Sequence, residues 1–203
     1  LLENEPILLW SFFFGLVLAS IIYIGKQISK WNTKAIIILI IGAFVAYYIT
    51  TLNPLVTENS SLLFMFLAGS IAICAMILPG ISGAFIMVLL GAYKPILSAL
   101  NDRDYKTVAT VFLGAIVGLL VFSKILKWMF TNYKNYTLAI LTGFIVGSLN
   151  KIWPWKETLT WRINSHDLEV PFKQQSISPF SFDGDPKLMF AIILAFVGFG
   201  LIL

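Results

Sequence analysis

The stretch Ile73-Cys-Ala-Met-Ile-Leu-Pro-Gly-Ile-Ser-Gly-Ala-Phe-Ile-Met-Val-Leu-Leu-Gly-Ala-Tyr93 decides the fold of this chain. Its apolar residues run to Pro79, are interrupted over residues 80–83, and resume as far as Tyr93. No charged residue lies between Leu62 and Tyr93, so both arms require hydrocarbon or a fully buried core. Proline lacks an amide hydrogen and clashes with the preceding turn, while glycine permits backbone angles that other residues resist. The stretch therefore predicts a broken helix.

The interruption also predicts a binding site. Broken backbone at membrane depth is tolerated only where protein covers it or where it lines a water-filled cavity. A second arm that begins near Gly83 offers unpaired amide N–H groups and the positive end of a helix dipole. Such a helix start is suited to an anion. We therefore expect this segment to handle an anionic group.

The composition indicates an integral membrane protein. Of the 203 residues, 59% are hydrophobic and only 12% are charged, about half the charged share of an ordinary soluble domain. The net charge of +4 is modest and is spread over several loops, so it gives no support to nucleic-acid binding. The chain does not start with Met and stops inside an apolar run, from which we expect a fragment of a longer protein.

Cysteine and histidine are too few for most metal chemistry. The single Cys74 excludes an intrachain disulfide and, lying in an apolar arm, is expected to be a buried, inert thiol. The single His166 lies in a polar loop. One histidine and one cysteine supply almost no ligands for a zinc or haem site. We therefore expect neither a metal nor another cofactor.

The hydropathy pattern predicts several membrane spans in one transmembrane domain. A long loop with four prolines, residues 150–187, separates the last span from the rest, and within it residues 158–163 alternate as a short strand does. Asp104 is placed to cap the helix that follows it. The spans are predicted near residues 6–24, 35–51, 62–100 (the broken hairpin), 107–122, 137–149 and 188–203.

Charge asymmetry predicts the topology. The loops 26–34 and 124–136 contain lysines and no acid, so both are expected on the cytoplasmic side. The loops 52–61 and 101–106 and the long loop then lie outside the cytoplasm. The element 62–100 must therefore enter and leave by the same face. A re-entrant hairpin with its tip inside the membrane and two full spans with a cytoplasmic tip are both compatible with this result.

Two pairs of glycines lie one helical turn apart in successive spans. They are Gly114 with Gly118 and Gly143 with Gly147. Small residues at this spacing let helices approach closely in a membrane. We interpret both pairs as packing surfaces, and the two spans are candidates to pack on each other.

Two motifs resemble one known family. Ile77-Leu-Pro-Gly-Ile-Ser-Gly83, continued by Leu90-Gly-Ala-Tyr93, resembles the second Pro-Gly-x-Ser-Gly motif of the bacterial undecaprenyl-phosphate translocases of the PopT type. Leu141-Thr-Gly-Phe-Ile-Val-Gly-Ser-Leu149, followed by Lys151-Ile-Trp-Pro-Trp-Lys156, is similar to the later signature of that family. The order and spacing match over roughly residues 62–156.

The resemblance implies an all-α polytopic fold that forms one part of a two-repeat transporter. The family carries an earlier Pro-Gly-x-Ser-Gly-Gly motif in a first, related half, and this chain has no copy of it. Ala84 stands where that other copy has its second glycine. The resemblance therefore implies that the N-terminal repeat of the same protein is missing here and is a partner of the site. A homo-oligomer is also compatible with the sequence.

The function implied is the return of the lipid carrier undecaprenyl phosphate across the bacterial inner membrane for cell-wall polymer synthesis. The phosphate cannot cross hydrocarbon bare, whereas the polyprenyl tail can stay in it, so the protein must supply a polar slot that is open to lipid. Paired broken helices near the bilayer midplane are a known way to build such a site. The implied partners are undecaprenyl phosphate and membrane lipids.

The candidate substrate-binding residues come from both motifs. Backbone N–H groups and one hydroxyl would hold the phosphate at the tip, and counter-charge would come from Lys94, Arg103, Lys124, Lys127, Lys151 or the missing half, with Lys151 the best placed. No carboxylate or histidine lies within the predicted spans, so a proton-coupling group is not found in this chain. The candidates are Pro79, Gly80, Ile81, Ser82, Gly83, Ser148, Asn150 and Lys151.

Three other functions compete with this interpretation. A transporter of a small soluble anion would use the same hinge with a cavity closed to lipid. A lipid-pyrophosphate phosphatase would need histidine-dependent chemistry or metal-bound water; the single His166 in a loop argues against the first, and nothing in the sequence resembles a site for the second. A non-catalytic membrane subunit would use the hinge for packing alone. We therefore expect a transporter rather than an enzyme.

Overall fold

The computed structural model describes residues 5–52, 61–163 and 169–202. The chain divides into two compact units, of which one comprises Leu1–Lys26 with Leu149–Leu203 and the other comprises Gln27–Ser148. In chain order the helices and strands are α1 (Pro6–Lys26), α2 (Thr33–Thr51), α3 (Leu62–Ile77), α4 (Gly83–Leu89), α5 (Tyr93–Asn101), α6 (Tyr105–Ser148), a 3-10 turn (Leu149–Ile152), β1 (Lys156–Ile163), β2 (Glu169–Ser176), a second 3-10 turn (Pro179–Ser181) and α7 (Leu188–Gly200).

The predicted break at Pro79 is confirmed, and the second arm of the hairpin is itself bent. Helix α3 ends at Ile77, and α4 covers only the seven residues Gly83–Leu89. The chain then bends by 103° into α5. Gly91 permits this bend because its φ of 73° lies in the left-handed region. The second arm of the hairpin predicted over residues 62–100 is therefore two short helices instead of one.

Helix α6 reverses its direction at Tyr133, whose φ of −137° and ψ of 42° are not helical. Cys74 of α3 donates to the carbonyl of Gly118, while Gly80, six residues later, lies against Ser148. Six residues reach at most roughly 21 Å. Gly118 and Ser148 would be roughly 45 Å apart in one straight helix. Residues 105–132 and 134–148 are therefore two arms of a helical hairpin.

This reversal corrects the prediction of a loop over residues 124–136. Residues 124–132 are helical, so Lys124 and Lys127 stand on the first arm of α6. The amide of Ser29 donates to Asn135 Oδ1 over 3.1 Å, which joins the segment after α1 to the α6 turn. The two lysine-rich segments consequently lie at the same end of this unit, which is the arrangement that a common cytoplasmic side requires.

Both glycine pairs form packing surfaces of small residues, but these surfaces contact other helices than expected. Added Cβ atoms would lie 2.1 Å from the Phe66 carbonyl oxygen at Gly114 and 2.2 Å from the Leu39 carbonyl oxygen at Gly143. Gly114 therefore faces α3, and Gly143 faces α2. The expectation that the two glycine-bearing spans pack on each other through these faces was wrong, because each face is occupied by a different helix.

Helices α1 and α7 pair in the other unit, together with a small antiparallel sheet. Gly15 of α1 approaches the backbone of Ala195, and an ion pair joins Lys187 to Glu5 at the two helix starts. Strands β1 and β2 pair from Lys156–Ser176 to Ile163–Glu169. The predicted strand over residues 158–163 is thus confirmed, and so is the cap at Asp104, whose Oδ1 accepts the amide hydrogens of Lys106 and Thr107.

The fold is that of an all-α polytopic membrane protein with one small sheet outside the helices. Among the described residues, three helices are long and apolar enough to cross a membrane, or four if α4 and α5 are counted as one bent span. Their surfaces are apolar as well. Large side chains with more than half of their area exposed include Ile40, Phe44, Leu63, Phe112 and Phe196. Such faces fit hydrocarbon rather than water.

Candidate functional site

The segment between α3 and α4, residues 78–82, forms a tight tip. The amide of Leu78 closes the end of α3 on the Ala75 carbonyl, and Pro79 cannot continue the helix. Gly80 has a φ of 90° and is exposed, which reverses the chain at a conformation that L-residues avoid. Ile81 turns inward and packs with Ile86 and Leu89. One apolar side chain thus anchors a tip whose remaining polar groups face outward.

Polar groups of the tip remain available for a ligand. Ser82 occupies the position before α4, is exposed, and makes no capping hydrogen bond with its hydroxyl. The first backbone bond of α4 is donated by Ile86 to the Ser82 carbonyl. Within the described residues, the amide N–H groups of Gly83 and Ala84 have no acceptor. One exposed hydroxyl and two N–H groups without an acceptor therefore lie at the start of α4.

Helix α4 runs back along α3, which makes the element a hairpin. An added Cβ at Gly83 would lie 2.8 Å from the Ala72 carbonyl oxygen and 3.5 Å from Met76 Cβ. Later residues of the hairpin return past the earlier turns of α3, since Ala92 packs with Met65 and Ala68. The two arms are therefore antiparallel, and they approach each other closely at Gly83.

The tip lies within the length of the first arm of α6. Helix α3 runs parallel to this arm, because Phe66 lies against Gly114 and Ser70 lies against Gly118. The tip follows Ser70 by eight or more residues, so it lies beyond the level of Gly118 in the direction of Tyr133.

Ser148 supports the tip from the second arm of α6. It is buried, and its hydroxyl donates to the Ile145 carbonyl over 2.8 Å. An added Cβ at Gly80 would lie 2.0 Å from Ser148 Oγ and 3.3 Å from the Phe144 carbonyl oxygen. The structure thus joins the two sequence motifs at one contact. Ser148 acts there as a packing surface for Gly80, with its own hydroxyl already bonded.

Asn150 and Lys151 belong to the 3-10 turn that follows α6, in the other compact unit. Their carbonyl oxygens accept hydrogen bonds from Ser176 Oγ and from Lys156 Nζ, respectively. The Lys151 side chain is exposed as a whole, although the protein around its ammonium group removes water and so lowers the pKa of Lys151. The other candidate cations are all exposed, namely Lys94, Arg103, Lys124 and Lys127.

Sequence reasoning missed the surroundings of Lys156. This residue closes the second motif, but its position there gave no sign of what it contacts. Its ammonium group lies 4.3 Å from the ring centre of Trp10 in α1. Burial, and then the positive charge of Lys151, lower the pKa of Lys156 to about 8. Only the paired spacing of two lysines in the motif could have indicated a cationic cluster.

Comparison with known proteins decides the family. The model of the undecaprenyl phosphate translocase-like family matches residues 1–170. The chain belongs to this family. It is 47% identical to a polyprenyl-phosphate transporter of Vibrio cholerae over 90% of the chain and 59% of the relative. It is 31% identical to a polyprenyl-phosphate transporter of Staphylococcus aureus over 76% of the chain and 60% of the relative.

The family membership confirms the resemblance drawn from the two motifs. The chain spans about three fifths of the length of these curated relatives. No solved structure matches the chain. Together with its apolar helices, the membership makes the chain part of a multi-pass membrane protein.

Proposed function

We propose that this chain belongs to a flippase that returns undecaprenyl phosphate across the bacterial inner membrane, and that residues 79–83 contact the phosphate. The observation that carries the proposal is an exposed polar tip that lies within the length of the first arm of α6. Unbonded polar groups at such a depth are unfavourable without a polar ligand or water. The names of the curated relatives support a polyprenyl phosphate as the substrate.

The tip binds the headgroup through local hydrogen bonds rather than through a helix dipole. Helix α4 has only two turns, so its macrodipole is small compared with that of a long helix. The N–H groups of Gly83 and Ala84 and the Ser82 hydroxyl are the donors. A phosphate monoester carries a charge of about −1.5 to −2 at pH 7, so it also needs cations. These cations are proposed to come from residues of the protein's other repeat, while Asn150 and Lys151 stay predictions from the second motif.

The proposed activity is transport without covalent chemistry. The lipid carries its own tail through hydrocarbon, and the protein replaces the water around the phosphate with amide and hydroxyl donors. Helix α4 and the 103° bend into α5 leave the second arm too short to shield the tip along a full span. A headgroup is proposed to reach the tip beside this short arm with its tail still in lipid.

Replacing Ser82 with alanine tests the hydroxyl. We expect Ser82→Ala to lower the transport rate by roughly tenfold, since a hydrogen bond to a charged group contributes about 1.5–3 kcal/mol. Folding should not change, because the Ser82 hydroxyl makes no capping bond. The measurement is movement of labelled undecaprenyl phosphate between leaflets of liposomes that contain the complete protein.

Ser123→Ala is the matched control, because Ser123 is an exposed serine whose hydroxyl bonds only to the Leu120 carbonyl of its own helix. It should transport like the wild type. Equal rates for Ser82→Ala and Ser123→Ala would remove the tip hydroxyl from the mechanism. Uptake of inorganic phosphate into the liposomes, without movement of the lipid, would favour the small-anion transporter instead.

A further inference from the structure

In the unit Gln27–Ser148, two hydrogen bonds join the turn of α6 to the segment that precedes α2. The amide of Ser29 donates to Asn135 Oδ1 over 3.1 Å, and Asn32 Nδ2 donates to the Tyr136 hydroxyl over 3.3 Å. The Asn32 side chain also caps the start of α2. The two segments are therefore held side by side at one end of this unit.

Three lysines stand at this junction, and we call them the lysine cluster. Lys30 and Lys134 are sequence neighbours of the bonded residues Ser29 and Asn135, and Lys34 lies in the first turn of α2. All three side chains are exposed. Within residues 5–52, 61–163 and 169–202, none of the three makes a hydrogen bond or an ion pair. Their charge is therefore available to a partner.

The same end of the unit lacks acidic residues. Residues 27–52 and 105–148 contain neither aspartate nor glutamate. In the described part of this unit the acidic residues are Asp102 and Asp104, at the start of α6. Residues 105–132 rise about 40 Å as a helix, several times the Debye length of about 8 Å at physiological ionic strength. Those two carboxylates therefore do not neutralise the lysine cluster.

The position of Lys34 does not stabilise its own helix. The first turn of a helix carries the positive end of the dipole and favours anions. In α2 this turn contains Lys34 and no acidic residue. A like charge on a neighbouring segment adds a further cost. An external anion at the lysine cluster would reduce both costs.

Exposed aromatic side chains place this end of the unit at a membrane surface. Trp31, Trp128 and Tyr133 are each at least half exposed, and the last two rings meet edge-on with centres 5.5 Å apart. Trp31 lies two residues before α2, which is long and apolar enough to cross a membrane. Tryptophan and tyrosine at the end of such a helix are typical of the membrane–water boundary. The lysine cluster is therefore at the level of lipid headgroups.

We propose that Lys30, Lys34 and Lys134 bind the phosphodiester headgroups of anionic phospholipids in the cytoplasmic leaflet. The leaflet follows from the predicted topology, which places the loops 26–34 and 124–136 on the cytoplasmic side. A lysine ammonium is a compact point charge that requires no bidentate geometry, which suits mobile headgroups. Each lysine near an anionic membrane surface should strengthen binding roughly fivefold. This surface is separate from the tip at residues 79–83 and does not depend on the proposed transport.

The experiment measures tryptophan quenching by brominated phosphatidylglycerol in mixed micelles that contain the complete protein. The quenching that is lost in Trp31→Phe/Trp128→Phe reports on this end of the unit. In the wild type it should require much less brominated phosphatidylglycerol than brominated phosphatidylcholine, and added salt should reduce the difference. In Lys30→Gln/Lys34→Gln/Lys134→Gln the amount of phosphatidylglycerol required should rise roughly 100-fold, whereas arginine at the same three positions should preserve the wild-type response.

Lys106→Gln is the matched control, because Lys106 is an exposed lysine at the other end of the first arm of α6. It should be quenched like the wild type. Thermal unfolding of the triple glutamine variant should also match the wild type, since the three side chains are exposed. A loss of quenching without a loss of stability then reports on lipid binding alone.

Three results would overturn the lipid site. Equal quenching by the two brominated lipids in the wild type would remove the preference for anionic headgroups, and wild-type quenching of the triple glutamine variant would remove the lysines. Displacement of phosphatidylglycerol by inorganic phosphate or by undecaprenyl phosphate at lower concentration would assign the lysine cluster to a phosphate monoester instead. Transport at the wild-type rate by a triple variant that no longer binds phosphatidylglycerol would support a lipid site separate from the tip.

Discussion

Gly80→Ala is expected to abolish transport and to destabilise the hairpin. The left-handed backbone at Gly80 would cost about 1–2 kcal/mol for an alanine. The new methyl group would also overlap Ser148 Oγ, 2.0 Å away, and such overpacking costs about 1–3 kcal/mol. Both effects act on the residue that sets the direction of the tip. The measurements are leaflet-to-leaflet transport and thermal unfolding of the purified protein.

The two contributions can be separated by changing Ser148. Ser148→Gly removes both atoms that overlap the alanine. In the double variant Gly80→Ala/Ser148→Gly, the stability lost through overpacking should return, whereas the stability lost through the left-handed backbone of residue 80 should not. Ser148→Ala should rescue less, because its Cβ remains 2.5 Å from the new methyl group. Gly200→Ala is the control, since nothing lies within 4 Å of an added Cβ there. If Gly80→Ala transported at the wild-type rate, transport would not require the backbone conformation that glycine gives the tip.

The sequence predicted the break of the hairpin because local chemistry determines it. Pro79 removes an amide hydrogen, and Gly80 permits a positive φ, so no tertiary contact is needed to end α3 there. The cap at Asp104 and the strand at residues 158–163 follow from equally local patterns. These are the features that a single sequence indicates most directly.

The reversal of α6 could not be predicted in detail because it depends on one residue. Tyr133 carries no turn signal of the glycine or proline kind, and the lysines before it are compatible with either a helix or a loop. The partners of the glycine faces were missed for a related reason. A small-residue spacing shows that a helix is approached closely, but not by which neighbour.

The candidate site was predicted in part. The tip residues were found from the motif, and Ser148 does lie beside Gly80, although as a support with a bonded hydroxyl. The surroundings of Lys156 could not be predicted from the sequence, because lysines in loops are usually solvated and only a folded arrangement distinguishes Lys156 from the others. The surroundings of a side chain depend on contacts between segments that are distant in the sequence.

Gly143→Val is expected to destabilise the packing of α2 on α6. An added Cβ would lie 2.2 Å from the Leu39 carbonyl oxygen and 2.9 Å from the Ala43 amide nitrogen. Both atoms are backbone, so relief requires the helices to move apart, at a cost of about 1–3 kcal/mol or more. For a protein of this size the unfolding temperature should fall by on the order of 5–10 °C. Thermal unfolding in detergent measures the change, with Gly200→Val as the control.

The rescue experiments should differ between the two glycines, which makes the pair more informative than either alone. At Gly80 the nearest atoms belong to the Ser148 side chain, so removing that side chain relieves the overlap. At Gly143 the nearest atom is a carbonyl oxygen, and Leu39→Ala leaves it in place. Leu39→Ala should therefore fail to restore the stability of Gly143→Val. A full rescue there would mean that α2 contacts α6 through side chains, and that the two helices do not meet at the backbone distance described.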